Sequence, residues 1–456
     1  SSTSKKVGKK LRGCRQMLNQ RQIMPSMFQM VTMDQLVPKN YFYRKIEAVL
    51  DLSFVREEVK DLYCPDNGRP AIEPELAMRM MLIGYFENFS ENQLCQEIAM
   101  HAGYRWFCKL NFHDPVPDRT SLIKIRARWG VETFDRLFQM IVSQCVEVGL
   151  VKGDVVAIDG TQVRARAAVT SMEQISPAVP IDEYLSRFDE PKAQEKPPKP
   201  PDKNGNKDFR GEKFSNETHR SKTDPDARLY RKAVGQEAYP RYLVHDALDV
   251  KSGVILDTEA TIATGYAERE AALQFMSRLE GRLYLMDKAY RGAEFLAEAI
   301  KLGAKPFVPL DDLTLMPIPV WKRRTFKLSQ LRKRRNAVRL VEALNYVKLL
   351  NGHRLYSRAY ALRAKIEHKF AEAKEHHGLR RARGYGLSSM RIQARMTAMV
   401  QNIKRLVSFR RKKRPQTGWA IAHVSAFGSA FKVPIQRFSC WFSKVYPFVF
   451  TDCLLS

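Results

Sequence analysis

The 456-residue sequence predicts an α/β protein, with an all-helical N-terminal domain and then a mixed-sheet domain broken by a disordered insertion. Three observations predict it. From Tyr41 to about Leu150 apolar residues recur every three or four positions, and strand-like alternation is largely absent. From Val155 onward short apolar or alternating runs (VVAID, YLVHDALD, GVILDTEATIAT, LYLMD, AKPFVPL) are interspersed with helical patterns. Inside the second region lies EPKAQEKPPKPPDKNGNKD, which is too rich in Pro, Lys and Asp to form a core.

Taken in order, residues 1–26 are basic and polar without apolar periodicity, and are expected to be a disordered arm. Residues 27–150 form the helical domain. Pro74 opens a helix through ELAMRMMLIGYF, and Ser90 with Gln93 makes a capping box for the next, which Gly103 is expected to close. A third helix follows PDRTSLIKIRARWG, with Leu122, Ile125 and Trp129 on one face and Lys124 and Arg128 on another. Either it lays Lys124 and Arg128 on DNA phosphates, or its basic face is merely solvated.

The second domain spans 151–408. VVAID reads as a buried strand ending at Asp159, before the turn GT. Residues 171–240 read as a flexible excursion whose later part, SKTDPDARLYRK, can be ordered by contact. An antiparallel hairpin follows, joined by VKSG, and then a helix from Glu268 to Leu279, the strand LYLMD, the helix AEFLAEAIKLG and the strand AKPFVPL. The run WKRRTFKLSQLRKRRNAVR, with Trp321 and Phe326 interleaved, is read as a DNA-contacting surface. The tail over 409–456 is basic, then aromatic, and has no assigned role.

Charge narrows the partners. Lys and Arg number 77 against 49 Asp and Glu, a formal net charge of +28, which opposes compaction and attracts a polyanion. Nucleic acid is the expected partner. The seven cysteines are scattered without zinc-ligand spacing and read as reduced thiols of a cytosolic protein. No signal peptide is read at the start. No window reads as a membrane span, since the most apolar, Phe438 to Leu455, holds Lys444, Pro447 and Asp452.

The chemistry concentrates in YALRAKIEHKFAEAK. On one helix Tyr360, Arg363, Glu367 and Lys374 fall within an arc of roughly 60°, one acid among two cations and a phenol. A carboxylate beside phosphate-binding groups suggests a metal ligand next to a nucleic-acid backbone. Asp159 and Asp287, at strand ends, are its expected partners. Three acids from separate elements suit Mg²⁺, which takes carboxylates, waters and phosphate oxygens, with Asp159 bridging two ions. Competing acids are set aside: Asp154 begins its strand, Glu372 lies about 140° around the helix from Glu367, and Asp246, Asp249 and Asp257 border a hairpin where Asp serves turns. Asp224 and Asp226 rank second. His368, His376 and His377 lack ligand spacing and read as exposed or DNA-facing.

These residues resemble the DDE transposases of bacterial insertion sequences, in the branch with a Tyr-x2-Arg-x3-Glu-x6-Lys signature, and look closest to the insertion-sequence 1182 family. Tyr360, Arg363, Glu367 and Lys374 meet that signature at every spacing. Asp159-Gly160 and Asp287-Lys288-Ala289-Tyr290 resemble its two Asp motifs, and the likeness covers about residues 27–407. The stretch between Asp287 and Glu367 is short and holds no Cys, and the tail lies outside the likeness. The resemblance implies a ribonuclease-H-like domain, catalytic and metal-binding Asp159, Asp287 and Glu367, and Mg²⁺ for which Mn²⁺ can substitute. It also implies DNA handling by Tyr360, Arg363 and Lys374, cleavage and strand transfer at terminal inverted repeats, a homodimer synapsing two ends, and a cytoplasmic, nucleoid-associated bacterial protein. Two other readings stay open: a catalytically inactive DNA-binding descendant acting as a repressor, and a nuclease of RNA–DNA hybrids.

Overall fold

Capping chemistry sets where the first helices start. Glu73 accepts from the backbone N–H of Leu76 with Pro74 at the first helical position, Ser90 accepts from Gln93, and Asp118 accepts from Ser121. The computed structural model describes residues 30–64, 71–175, 215–231, 237–279, 282–320 and 328–413. The arm over 1–26, most of the tail, the centre of the insertion and the start of the basic run with Trp321 and Phe326 lie outside them.

The helices before the sheet are α1 (Met33–Leu36), α2 (Phe42–Glu47), α3 (Phe54–Val59), α4 (Pro74–Phe86), α5 (Glu91–Met100), α6 (Ala102–Phe107) and α7 (Arg119–Glu147). Gly103 does not close α5 but lies inside α6, where a Cβ would meet the Tyr41 ring at 2.5 Å. The third expected helix runs on past Gly130, whose φ of 67° kinks α7.

β1 (Val155–Arg164), β2 (Met172–Gln174), β3 (His219–Ser221), β4 (Arg228–Tyr230), β5 (Tyr239–Asp249) and β6 (Ile255–Ile262) follow, then α8 (Ala267–Arg278), β7 (Leu283–Leu285), α9 (Ala293–Lys301) and β8 (Lys305–Phe307). The chain closes with α10 (Leu328–Gly352), α11 (Arg354–Tyr360), α12 (Ala364–His376) and α13 (Gly386–Lys413). The strands order β6-β5-β1-β7-β8, with β4 also on β5; the first three pair antiparallel and β1, β7 and β8 pair parallel. This mixed, curled sheet with flanking helices is ribonuclease-H-like.

Strands β2, β3 and β4 fall inside the stretch read as a flexible excursion. They are held by contact: buried Asp224 accepts from the Tyr242 hydroxyl at 2.5 Å and from Gly386 N–H at 3.1 Å, and Asp226 accepts from Leu387 N–H at 2.9 Å. The two acids that ranked second for catalysis therefore cap α13. Along its length α13 covers the sheet edge. Buried Asn402 bonds both the N–H and the carbonyl of Ile255 at 2.8 Å, satisfying an edge strand that water cannot reach. One apolar core runs from Tyr43 and Phe107 through Val156 and Phe275 to Val407, joining helical region and sheet.

Candidate active site

Asp159 does not end its strand. β1 continues five residues to Arg164, because its partner β5 is long enough to pair with it throughout. What ends at this level is the parallel ladder: β7 pairs with β1 only from Val155↔Leu283 to Ala157↔Leu285. Two residues further on, Asp159 and Asp287 stand abreast, at the mouth of the parallel half-sheet. Asp159 spends one oxygen on Gly160 N–H at 2.8 Å, and Asp287 accepts from Ala289 N–H at 2.9 Å, turning the chain after β7.

The Tyr360–Lys374 stretch is not one α-helix. Tyr360 ends α11, Ala361–Arg363 is a 3-10 turn, and α12 starts at Ala364. The tighter turn aims Arg363 inward. Its guanidinium donates to Asp159 Oδ2 at 3.0 Å and to Glu367 Oε1 at 2.7 Å, bridging two expected ligands. Tyr360 packs its ring on Phe307, centroids 5.5 Å apart. Burial raises its phenol above the ordinary range, Arg363 opposes that, and Asp287, Glu367 and Asp159 add to it. These five groups therefore share one electrostatic neighbourhood. Lys374 is half-buried on α12, about 10 Å along the axis from Glu367. Lys124 and Arg128 are exposed on α7 and are not drawn into this cluster; Arg128 lies 4.9 Å over the Tyr63 ring.

Burial pushes the Asp159 carboxyl up, Arg363 and the Gly160 N–H pull it down, and Asp287 and Glu367 push it up again. Asp287 and Glu367 thus both act on Asp159. The structure adds residues that spacing did not single out. Glu268, in the first turn of α8, is raised by burial and then by Asp287 and Asp159. Its carboxylate lies 3.5 Å from where a Gly160 Cβ would be. An acid in the first turn of the helix leaving the hairpin was the available signal, since that turn abuts the sheet's centre. Asp246 does not border the hairpin turn: it is buried in β5 directly opposite Asp159, and burial lifts it to about 7.

The other rejected groups have structural partners. Asp154 meets Lys251 at 2.8 Å, Asp249 accepts from Ser252 Oγ at 2.5 Å, and Asp257 pairs with Arg278 at 3.0 Å. His377 is not exposed. It is buried, and its Nδ1 lies 2.8 Å from the Tyr85 carbonyl, because the turn after α12 folds back onto α4. His368 and His376 are exposed.

The donor set fits a hard cation. Asp159, Asp287 and Glu367 offer carboxylate oxygens from three elements, and a guanidinium stands in as their counter-charge. Among the described residues no three such side chains are close enough to grip an ion as they stand, since Arg363 spaces two of them. Three buried polar atoms around Asp159 also find no hydrogen-bond partner among the described residues: Tyr290 Oη, His245 Nδ1 and Arg363 Nε.

A ribonuclease-H-like sheet with acids on β1, just beyond β7 and on a late helix defines a class of phosphodiester-processing enzymes. The family described as Transposase DDE domain matches residues 152–403, more than half of the chain, and Transposase domain (DUF772) matches residues 31–128. The chain belongs to the DDE transposases, enzymes of DNA cleavage and strand transfer that need divalent metal ions. No curated protein and no solved structure gives a significant match. No helix among the described residues is long and apolar enough to cross a membrane.

Proposed function

We propose that this chain binds the terminal inverted repeats of its element and performs Mg²⁺-dependent cleavage and strand transfer there, with Mn²⁺ able to substitute. The observation that carries this reading is the convergence of Asp159, Asp287 and Glu367, each from a different element, around the Arg363 guanidinium. Asp159, Asp287 and Glu367 would hold the metal, which when bound polarises the scissile phosphate and activates the attacking oxygen.

The chain's own groups do the rest. Arg363 neutralises Asp159 and Glu367 before DNA arrives, and its fork suits a phosphate's two oxygens equally well. Exchange from carboxylates to phosphate frees the acids as the substrate enters. Tyr360 keeps its proton at neutral pH, so it donates a hydrogen bond to the DNA backbone or stacks on an unpaired base. Lys374 follows the strand further along α12, and Lys124 and Arg128 contact phosphates through the helical domain over 27–150. Two ends imply a homodimer, acting on the nucleoid in the bacterial cytoplasm.

The test compares Asp159→Asn, Asp287→Asn and Glu367→Gln with the unmutated chain on an end-bearing duplex. Each is expected to lose cleavage by more than about a hundredfold, because even partners of metal ligands cost 10–100-fold, while end binding persists. Retained cleavage in any one removes that residue from the site. Full binding without cleavage by the unmutated chain would instead identify a transposase-derived repressor.

A further inference from the structure

Beyond Asp159, β1 ends in a row of like charges. Arg164 is opposite Arg241 on β5, Arg241 is opposite Arg228 on β4, and Arg164 makes a separate bridge with Arg381 in the loop before α13. Residues paired in register project from the same face of a sheet. Four guanidinium groups from four segments, distant in sequence, therefore stand abreast.

Among the described residues no ion pair neutralises them, and the nearby Glu237 carboxylate accepts from the Tyr239 hydroxyl instead. Among the described residues no carboxylate lies within the 4.0 Å of an ion pair from any of the four. Arg228 donates to the carbonyls of Pro225 and Ala227 at 2.6 and 3.2 Å, and Arg241 to the Gln162 amide oxygen. Arg164 and Arg241 flank the Tyr239 ring, 4.4 and 5.8 Å from its centroid. Arg164 and Arg381 are exposed and the other two half-buried. Like charges set directly opposite across strands destabilise a sheet, so folding gives no reason for the row. Elsewhere the same protein pairs its arginines: Arg395 reaches Asp135 at 2.9 Å and Glu259 at 3.0 Å.

A ligand that offsets this repulsion must be an extended polyanion. Three strand spacings span about 14 Å, room for successive phosphates of one DNA strand, and the guanidinium fork matches phosphate oxygens. The row lies about 17 Å along β1 from Asp159. Side-chain alternation places it on the opposite face of the strand from Asp159. We propose that Arg228, Arg241, Arg164 and Arg381 form a phosphate track that grips duplex DNA flanking the cut rather than the nucleotides being cut. This rests on the transposase reading above.

The experiment measures binding of the full chain to a labelled duplex by fluorescence anisotropy between about 50 and 200 mM salt. The variant carries Arg164→Gln, Arg228→Gln, Arg241→Gln and Arg381→Gln. Each lost phosphate contact flattens the slope of log affinity against log salt by about 0.9, so the fourfold variant is expected to be shallower by about 3.6 and to bind at least about tenfold more weakly. Fourfold Arg→Lys should keep the slope. Thermal melting without DNA should be unchanged or higher, because the repulsion has gone. An unchanged slope in a natively melting variant overturns the track. Should the fourfold variant not fold, the single Arg→Gln variants carry the same test at about 0.9 each. Failure of the unmutated chain to bind duplex DNA would overturn the transposase reading itself, and is distinguished by appearing without mutation.

Discussion

Two charge clusters sit on different sides of α12 and are balanced in opposite senses. On one side a single acid, Glu372, is shared by Lys369 at 2.8 Å and Lys404 at 2.5 Å, with His377 at 3.7 Å. On the other side Asp287 and Glu367 act on Asp159, Asp287 and Asp159 act on Glu268, and Arg363 ion-pairs with Asp159 and Glu367. The Glu372 cluster is closed and ties α12 to α13. The Asp159 cluster carries excess negative charge that the fold does not relieve. One helix thus separates charge that holds structure from charge that the fold leaves unbalanced.

The largest expected effect is on stability. Glu372→Ala strands Lys369 and Lys404 and should cost about 2 kcal/mol, the scale of hydrogen bonds to charged groups, in urea unfolding. Glu367→Gln, whose side chain is 59% exposed, should cost no more than about 0.5 kcal/mol. Equal costs would mean that both clusters are structural.

Arg363→Ala has the next largest effect. Removing the counter-charge should tighten Mn²⁺ binding to the DNA-free protein about tenfold by calorimetric titration, modest beside the roughly 4 kcal/mol of a unit charge pair at 4 Å near a surface. Unchanged or weaker binding would mean that the guanidinium does not stand where the metal goes.

The smallest effect is in pH, and the signs differ. Glu372 is held well below the ordinary range: burial opposes ionisation, but His377, Lys369 and Lys404 outweigh it. Its stabilisation is present above its unfolded pKa and fades as pH falls through the folded one, so the deficit of Glu372→Gln should narrow in acid. Burial holds Asp159 above its ordinary value, so its ionisation costs stability as pH rises. Asp159→Asn should therefore gain stability relative to the unmutated chain between pH 4 and 8, measured by melting temperature without metal. Parallel pH trends would contradict the contrast.

Much of the fold was legible because each element carries its own local pattern. The hairpin YLVHDALD/GVILDTEATIAT, the helix after it and the strand LYLMD lie where alternation and periodicity put them. Asp159 and Asp287 were legible as polar ends of apolar runs, though β1 runs on past Asp159. Helical periodicity failed at Tyr360 to Lys374, where a 3-10 turn interrupts it. Asp224, Asp226 and His377 were misjudged because what fixes them, the start of α13 and the Tyr85 carbonyl, lies far away in sequence.

The sequence by itself supplied the candidates for the chemistry: three acids in order, a Tyr-Arg-Glu-Lys spacing and a surplus of positive charge, all carried by residue identity and short-range spacing. Only the tertiary structure decided that Arg363 bridges Asp159 and Glu367, that Glu268 and Asp246 adjoin Asp159, and that four arginines align at the end of β1. Those facts depend on strand register and on helix docking across the sheet, which arise from long-range pairing of faces and leave no periodic trace in any one segment.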